Sequence, residues 1–169
     1  KLLPKVDSQV MYYPVIVTRP VLEFTPPKKN DIISILIMGQ LLPSTGHHEA
    51  IEALRIILEN KVSAHLTIVG DSEIPEYKTQ LEKKVTEYNL SSKVTFKPFV
   101  ENPNEEMQRH DILLVCSKCE AFGRVTIEGM KLGLPVIATD TCGTKELVID
   151  KETGLVYKQG DAKSLAEAI

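Results

Sequence analysis

The stretch CEAFGRVTIEGMKLGLPVIATD, residues 119–140, places Glu120 in a loop and Glu128 eight positions on, inside a helix-like run. That run, 124–133, is followed by an apolar strand, PVIA (Pro135–Ala138), and preceded by another, ILLV (Ile112–Val115). Strand, loop, helix and strand in that order form a βαβ unit, which requires a parallel sheet and a right-handed crossover. Two carboxylates across a small-residue turn suit a general acid/base pair, half of a metal site, or a grip on a polyhydroxylated ligand. The pair alone does not choose among them.

The same alternation extends in both directions. IISILIM (Ile32–Met38) is a continuous apolar run rich in β-branched residues, as expected of a strand buried on both faces. HHEAIEALRIILEN then sets Ile51, Leu54 and Leu58 on one helical face, with His47 and His48 opening an exposed helix start. HLTIV follows as a strand closed by Gly70-Asp71, and EYKTQLEKKVTEYNL spaces Tyr77, Leu81, Val85 and Tyr88 as a helix. VTF (Val94–Phe96), a short polar helix, ILLV, PVIA, a short helix near Lys145–Val148, GLVY and a last helix from Asp161 complete the series. The fold class is α/β: a Rossmann-like parallel sheet flanked by helices, spanning 31–169. Residues 1–30 hold five of the ten prolines and show no helical period, so they read as an extended interdomain connector. The methionines and aromatic residues read as core.

Length and composition bound the function. A chain of 169 residues with 43% hydrophobic and 25% charged content is one globular domain rather than a disordered segment. The net charge of −3 supplies no basic face for nucleic acid, and no window is long and apolar enough to span a membrane. Three cysteines in an otherwise ordinary chain point to reduced thiols and a cytoplasmic setting. Cys116-Ser117-Lys118-Cys119 lacks the further ligands that zinc needs, so the cysteines are expected to be structural, with Cys116 and Cys119 replaceable by serine and alanine without loss of binding.

In a doubly wound sheet the ligand lies beyond the carboxyl ends of the strands. Glu120 falls in one such loop and Glu128 early in the helix after it. The Phe122-Gly123-Arg124 turn between them aims backbone N–H groups at the crevice, and a helix start of this kind favours an anion such as a diphosphate. Gly143-Thr144, after PVIA, faces the same crevice.

With these residues in view, the segment from Cys119 to Ile169 resembles the E-x7-E region and its continuation in the donor-binding C-terminal half of GT-B-fold retaining glycosyltransferases, the large "group 1" family. HLTIVGDSEIPEYKTQLEKKVTEYNLSSKVTFKPFV resembles the preceding strand, helix and strand of that family. GQLLPSTGHHEAIEAL sits where the family has Gly-Arg-Leu and then Lys-Gly, so Gln40 stands in place of the arginine and Thr45 in place of the lysine.

The resemblance implies roles. Glu128 accepts hydrogen bonds from the ribose of a nucleotide sugar, and Glu120 meets the hydroxyls of the donor sugar as the catalytic-site carboxylate. Phe122, Gly123, Arg124 and Val125 border the diphosphate, with Gly39, Gln40 and Thr45 opposite, while Phe99 and Val100 flank the base. The donor is UDP- or GDP-linked, with no metal and no other cofactor. The acceptor site belongs to an N-terminal half that lies outside this sequence, so the chain alone is expected to be inactive. Through that half the enzyme associates peripherally with the inner face of the membrane, in polysaccharide or glycan biosynthesis. The rival readings are a non-catalytic partner subunit, favoured by Gln40 and Thr45, and a nucleotide-sugar epimerase of the same fold.

Overall fold

The computed structural model describes residues 31–169; the expected connector over 1–30 lies outside the described residues. The strands are β1 (Ile33–Met38), β2 (Ala64–Val69), β3 (Val94–Lys97), β4 (Ile112–Val115), β5 (Val136–Thr139) and β6 (Leu155–Tyr157). The helices are α1 (His47–Glu59), α2 (Pro75–Glu87), α3 (Pro103–Met107), α4 (Arg124–Lys131), α5 (Thr144–Leu147) and α6 (Ala162–Ala168). All six strands are parallel, in the order β3-β2-β1-β4-β5-β6. The expected doubly wound sheet is therefore the observed one, with element ends shifted by one to three residues.

The strand pattern explains the layers. Side chains alternate across a strand, so Ile35 and Ile37 of β1 enter one core while Leu36 enters the other. The first core packs the sheet against α1, α2 and α6 through Ile51, Leu54, Tyr77, Leu81 and Leu165. The second packs it against the other helices through Met107, Leu132 and Val148. The middle of β1, Ile35–Ile37, is thus buried on both faces, which is why IISILIM carries Ser34 as its one polar residue.

Two expectations need correction. The first helix does start at His47, but His47 is fully buried, because the opening turn of α1 tucks under α2 with its ring 6.4 Å from that of Tyr77. Only His48 stays half-exposed, with Nδ1 3.3 Å from the Tyr77 hydroxyl. The aromatic residues are not all core either: Phe99 is 68% exposed, standing at the rim of the crevice.

Burial, with a smaller contribution from the neighbouring charge of His48, lowers the His47 pKa from 6.5 to about 4. The unfolded chain therefore binds the extra proton between those two values, and stability falls as the pH drops through that window. The loss is about 3 kcal/mol once the pH is below both values. Thermal melts from pH 7 to pH 4 should show this slope, and His47→Leu should remove most of it. An unchanged slope in the variant would assign the acid sensitivity to other groups.

Candidate functional site

Because the strands are parallel, the loops after β1, β2, β3, β4 and β5 all open at one edge of the sheet. The chain leaves β1 through α1 toward β2 on one side, and returns through α3 to β4 on the other. At this switch point two adjoining cavities open, of about 460 Å³ and 640 Å³.

The cavities divide the candidate residues. Glu120, Phe122, Gly123 and Thr45 line the first alone. Glu128, Phe99 and Val100 line the second alone. Gly39, Gln40, Arg124 and Val125 belong to the wall that both share. These residues are therefore gathered at one crevice, with the two carboxylates in separate chambers. Gly143 and Thr144, expected to face it, line neither cavity, and Thr144 is fully buried where α5 packs down.

Local chemistry sets each position. Gly123 caps α4 with φ 71°, a left-handed conformation that glycine adopts without a Cβ penalty. The N–H groups of the first helical turn have no carbonyl partner one turn back, so the shared wall presents donors and the positive end of a helix dipole. Glu128 lies one turn along α4, its Oε1 3.5 Å from a guanidinium nitrogen of Arg124. The Arg124 side chain is 82% exposed, so this pair is weak and open to exchange for a ligand anion. On the facing wall, Thr45 Oγ1 donates to the Gln40 carbonyl at 2.8 Å. Gln40 and Thr45 are thus tied by a neutral hydrogen bond to backbone.

Two features escaped the sequence. Asp71 accepts a hydrogen bond from the Phe99 N–H at 3.2 Å, tying the loop after β2 to the loop after β3. The Gly70-Asp71 pair closing a buried strand was its only signal. The second feature corrects the expectation of reduced thiols: Cys119 and Cys142 form a disulfide. Because β4 and β5 are neighbours, their exit loops run side by side and bring the two Cα atoms to 5.2 Å, within disulfide reach. Cys116 is a free, buried thiol whose pKa burial pushes up to about 12.

Residues 19–169 match the family described as glycosyl transferases group 1, and the chain belongs to that family. It is similar to the capsular polysaccharide biosynthesis glycosyltransferase CapM of Staphylococcus aureus, 28% identical over 140 residues covering 83% of this chain and 36% of CapM. It is also similar to the lipopolysaccharide core biosynthesis glycosyltransferase LpsE of Rhizobium meliloti, 28% identical, covering 80% of this chain and 38% of LpsE. Among solved structures, Anabaena HepE in complex with UDP and glucose superposes with TM-score 0.76 at 28% identity, over 80% of this chain and 37% of HepE. The C-terminal domain of a group 1 glycosyl transferase (LpcC) of Francisella tularensis superposes with TM-score 0.72 at 25% identity, over 85% of this chain and 82% of that domain. The sheet is thus the Rossmann-like C-terminal unit of a GT-B fold, and the chain spans little more than a third of the relatives' length. Among the described residues no helix is long and apolar enough to cross a membrane.

Proposed function

We propose that this chain is the donor-binding domain of a retaining glycosyltransferase, holding a UDP- or GDP-linked sugar for transfer to a saccharide or lipid-linked acceptor. The observation that carries the reading is the pair of cavities separated by a shared wall of helix N-terminus and Arg124. Under this reading the nucleoside occupies the chamber of Glu128, Phe99 and Val100. The diphosphate crosses the wall, and the sugar enters the chamber of Glu120. A carboxylate accepts and never donates, so Glu128 suits a ribose diol and Glu120 the hydroxyls of a sugar. The similarity to HepE, solved in complex with UDP and glucose, supports a nucleotide sugar as the ligand. The acceptor site, the closing wall and any contact with a membrane surface belong to the rest of the enzyme.

Glu128→Ala should weaken nucleotide binding by about 2–4 kcal/mol, the cost of one or two charged hydrogen bonds, and leave the fold intact. Calorimetric titration of UDP and GDP into both proteins measures this. Equal affinities would remove Glu128 from the site.

The neutral contact between Gln40 and Thr45 favours a second reading, a non-catalytic partner with a weakened diphosphate site. If the wall lacks charge, UDP binds little better than uridine, and Gln40→Arg with Thr45→Lys should favour the diphosphate by about 1–3 kcal/mol. If Arg124 supplies the charge instead, Arg124→Ala should abolish an existing preference for UDP. A ratio of UDP to uridine affinity that neither change moves would place the diphosphate elsewhere.

The chain by itself should transfer nothing, since proximity to an acceptor and exclusion of water need the other half. Incubation with radiolabelled sugar nucleotides and simple acceptors checks this, and steady turnover or steady donor hydrolysis would contradict it.

A further inference from the structure

We propose that the Cys119–Cys142 disulfide is a redox latch that positions Glu120, so that the thiol state of this pair sets the grip on the sugar end of the ligand. The proposal rests on the donor-site reading above and adds a positioning device to it.

The bridge sits on the site rather than in the core. Cys119 immediately precedes Glu120, Cys142 immediately precedes Gly143, and the Gly143 N–H donates to the Glu120 carbonyl at 3.0 Å. The contact is tight: a Cβ on Gly143 would lie 2.8 Å from the Glu120 carbonyl oxygen and 2.9 Å from that of Ala121. Cys142 itself holds φ 46°, a left-handed conformation unusual for a residue with a Cβ. The disulfide therefore fixes the two loop tips against each other where Glu120 enters its chamber.

The loop bases do not need the bridge. Thr139 Oγ1 donates to the Ser117 carbonyl at 2.8 Å, and Thr141 Oγ1 donates to the same oxygen at 3.4 Å. β4 and β5 stay paired beneath them. Opening the disulfide thus leaves the tip that carries Glu120 held to the facing loop by the Gly143 N–H bond alone, a looser hold, and leaves the sheet and α4 in place. Glu128, Phe99 and Asp71 lie on other segments, so the nucleoside chamber does not sense the change. Rigidifying a binding loop raises affinity by lowering the cost of ordering it, which confines the effect to the sugar.

Both bridged cysteines are exposed, so small thiols and disulfides reach them. Cys116 is buried and takes no part in the exchange. The chemistry is thiol–disulfide exchange with a low-molecular-weight disulfide such as oxidised glutathione. One protein thiolate attacks it, forming a mixed disulfide and releasing one glutathione. The second protein sulfur attacks the mixed disulfide and releases the other glutathione. Two electrons pass from the protein sulfurs to glutathione, and the two thiol protons end on the two glutathione thiols.

The test compares the 169-residue chain equilibrated with oxidised glutathione against the same chain in a phosphine reductant. The readout is calorimetry with UDP, UDP-glucose, GDP and GDP-mannose. Reduction should weaken whichever sugar nucleotide binds by roughly three- to tenfold and leave its parent nucleotide unchanged. A Cys119→Ser, Cys142→Ser double variant should match the reduced protein under both conditions. Peptide mapping of the oxidised chain should find Cys119 joined to Cys142. Two free thiols there, an unchanged ratio of sugar-nucleotide to nucleotide affinity, or a double variant that behaves like the oxidised chain would each overturn the latch. Loss of the folded circular dichroism signal on reduction would make the bridge a structural staple and overturn it too. Failure of every nucleotide to bind would instead sink the donor-site reading, and the latch with it.

Discussion

A parallel sheet imposes a direction on everything attached to it. Each strand must be re-entered from the same end, so each connecting chain crosses a face of the sheet and the exits gather at one edge. Here β1 has β2 on one side and β4 on the other, and the crossovers from them depart to opposite sides. The exits diverge between β1 and β4, and the gap they leave is the crevice. Its walls are the turn after β1 and the Gly123 start of α4. Nothing in the site lies outside that constraint.

Within the gap, charge is distributed unevenly. The two glutamates occupy separate chambers, and between them stand backbone N–H groups, a helix N-terminus and one exposed arginine. A ligand with hydroxyls at both ends and negative charge in the middle complements that order. The facing wall presents the neutral pair Gln40 and Thr45, so the positive charge in the gap comes from the start of α4 and Arg124. The weak Arg124–Glu128 pair shows how this is managed: both groups have a partner that a ligand displaces at little cost.

The elements that the sequence made legible share a physical cause. IISILIM reads as a strand because its middle, Ile35–Ile37, is buried on both faces, and the helices read from their spacing because each buries one stripe against that sheet. Glu120, Glu128 and the turn between them were legible because the chemistry is local, with all three within a few residues. What failed was non-local. His47 resembled a solvent-facing cap until α2 covered it. The Cys119–Cys142 bridge depends on strand order, which brings together two loops separated by 23 positions in sequence; only the nearer Cys116 stood out in the chain.

The central claim is that one crevice at the carboxyl ends of β1 and β4 holds the nucleotide. The most direct measurement is a two-dimensional amide NMR titration of the isotopically labelled chain with UDP and with GDP. The account predicts that one of them shifts the amides of Gly39, Gln40, Val100 and the first turn of α4. Amides at the opposite edge, near Ser34 and Asp111, should stay fixed. Shifts confined to that opposite edge, or none with either nucleotide, would contradict it.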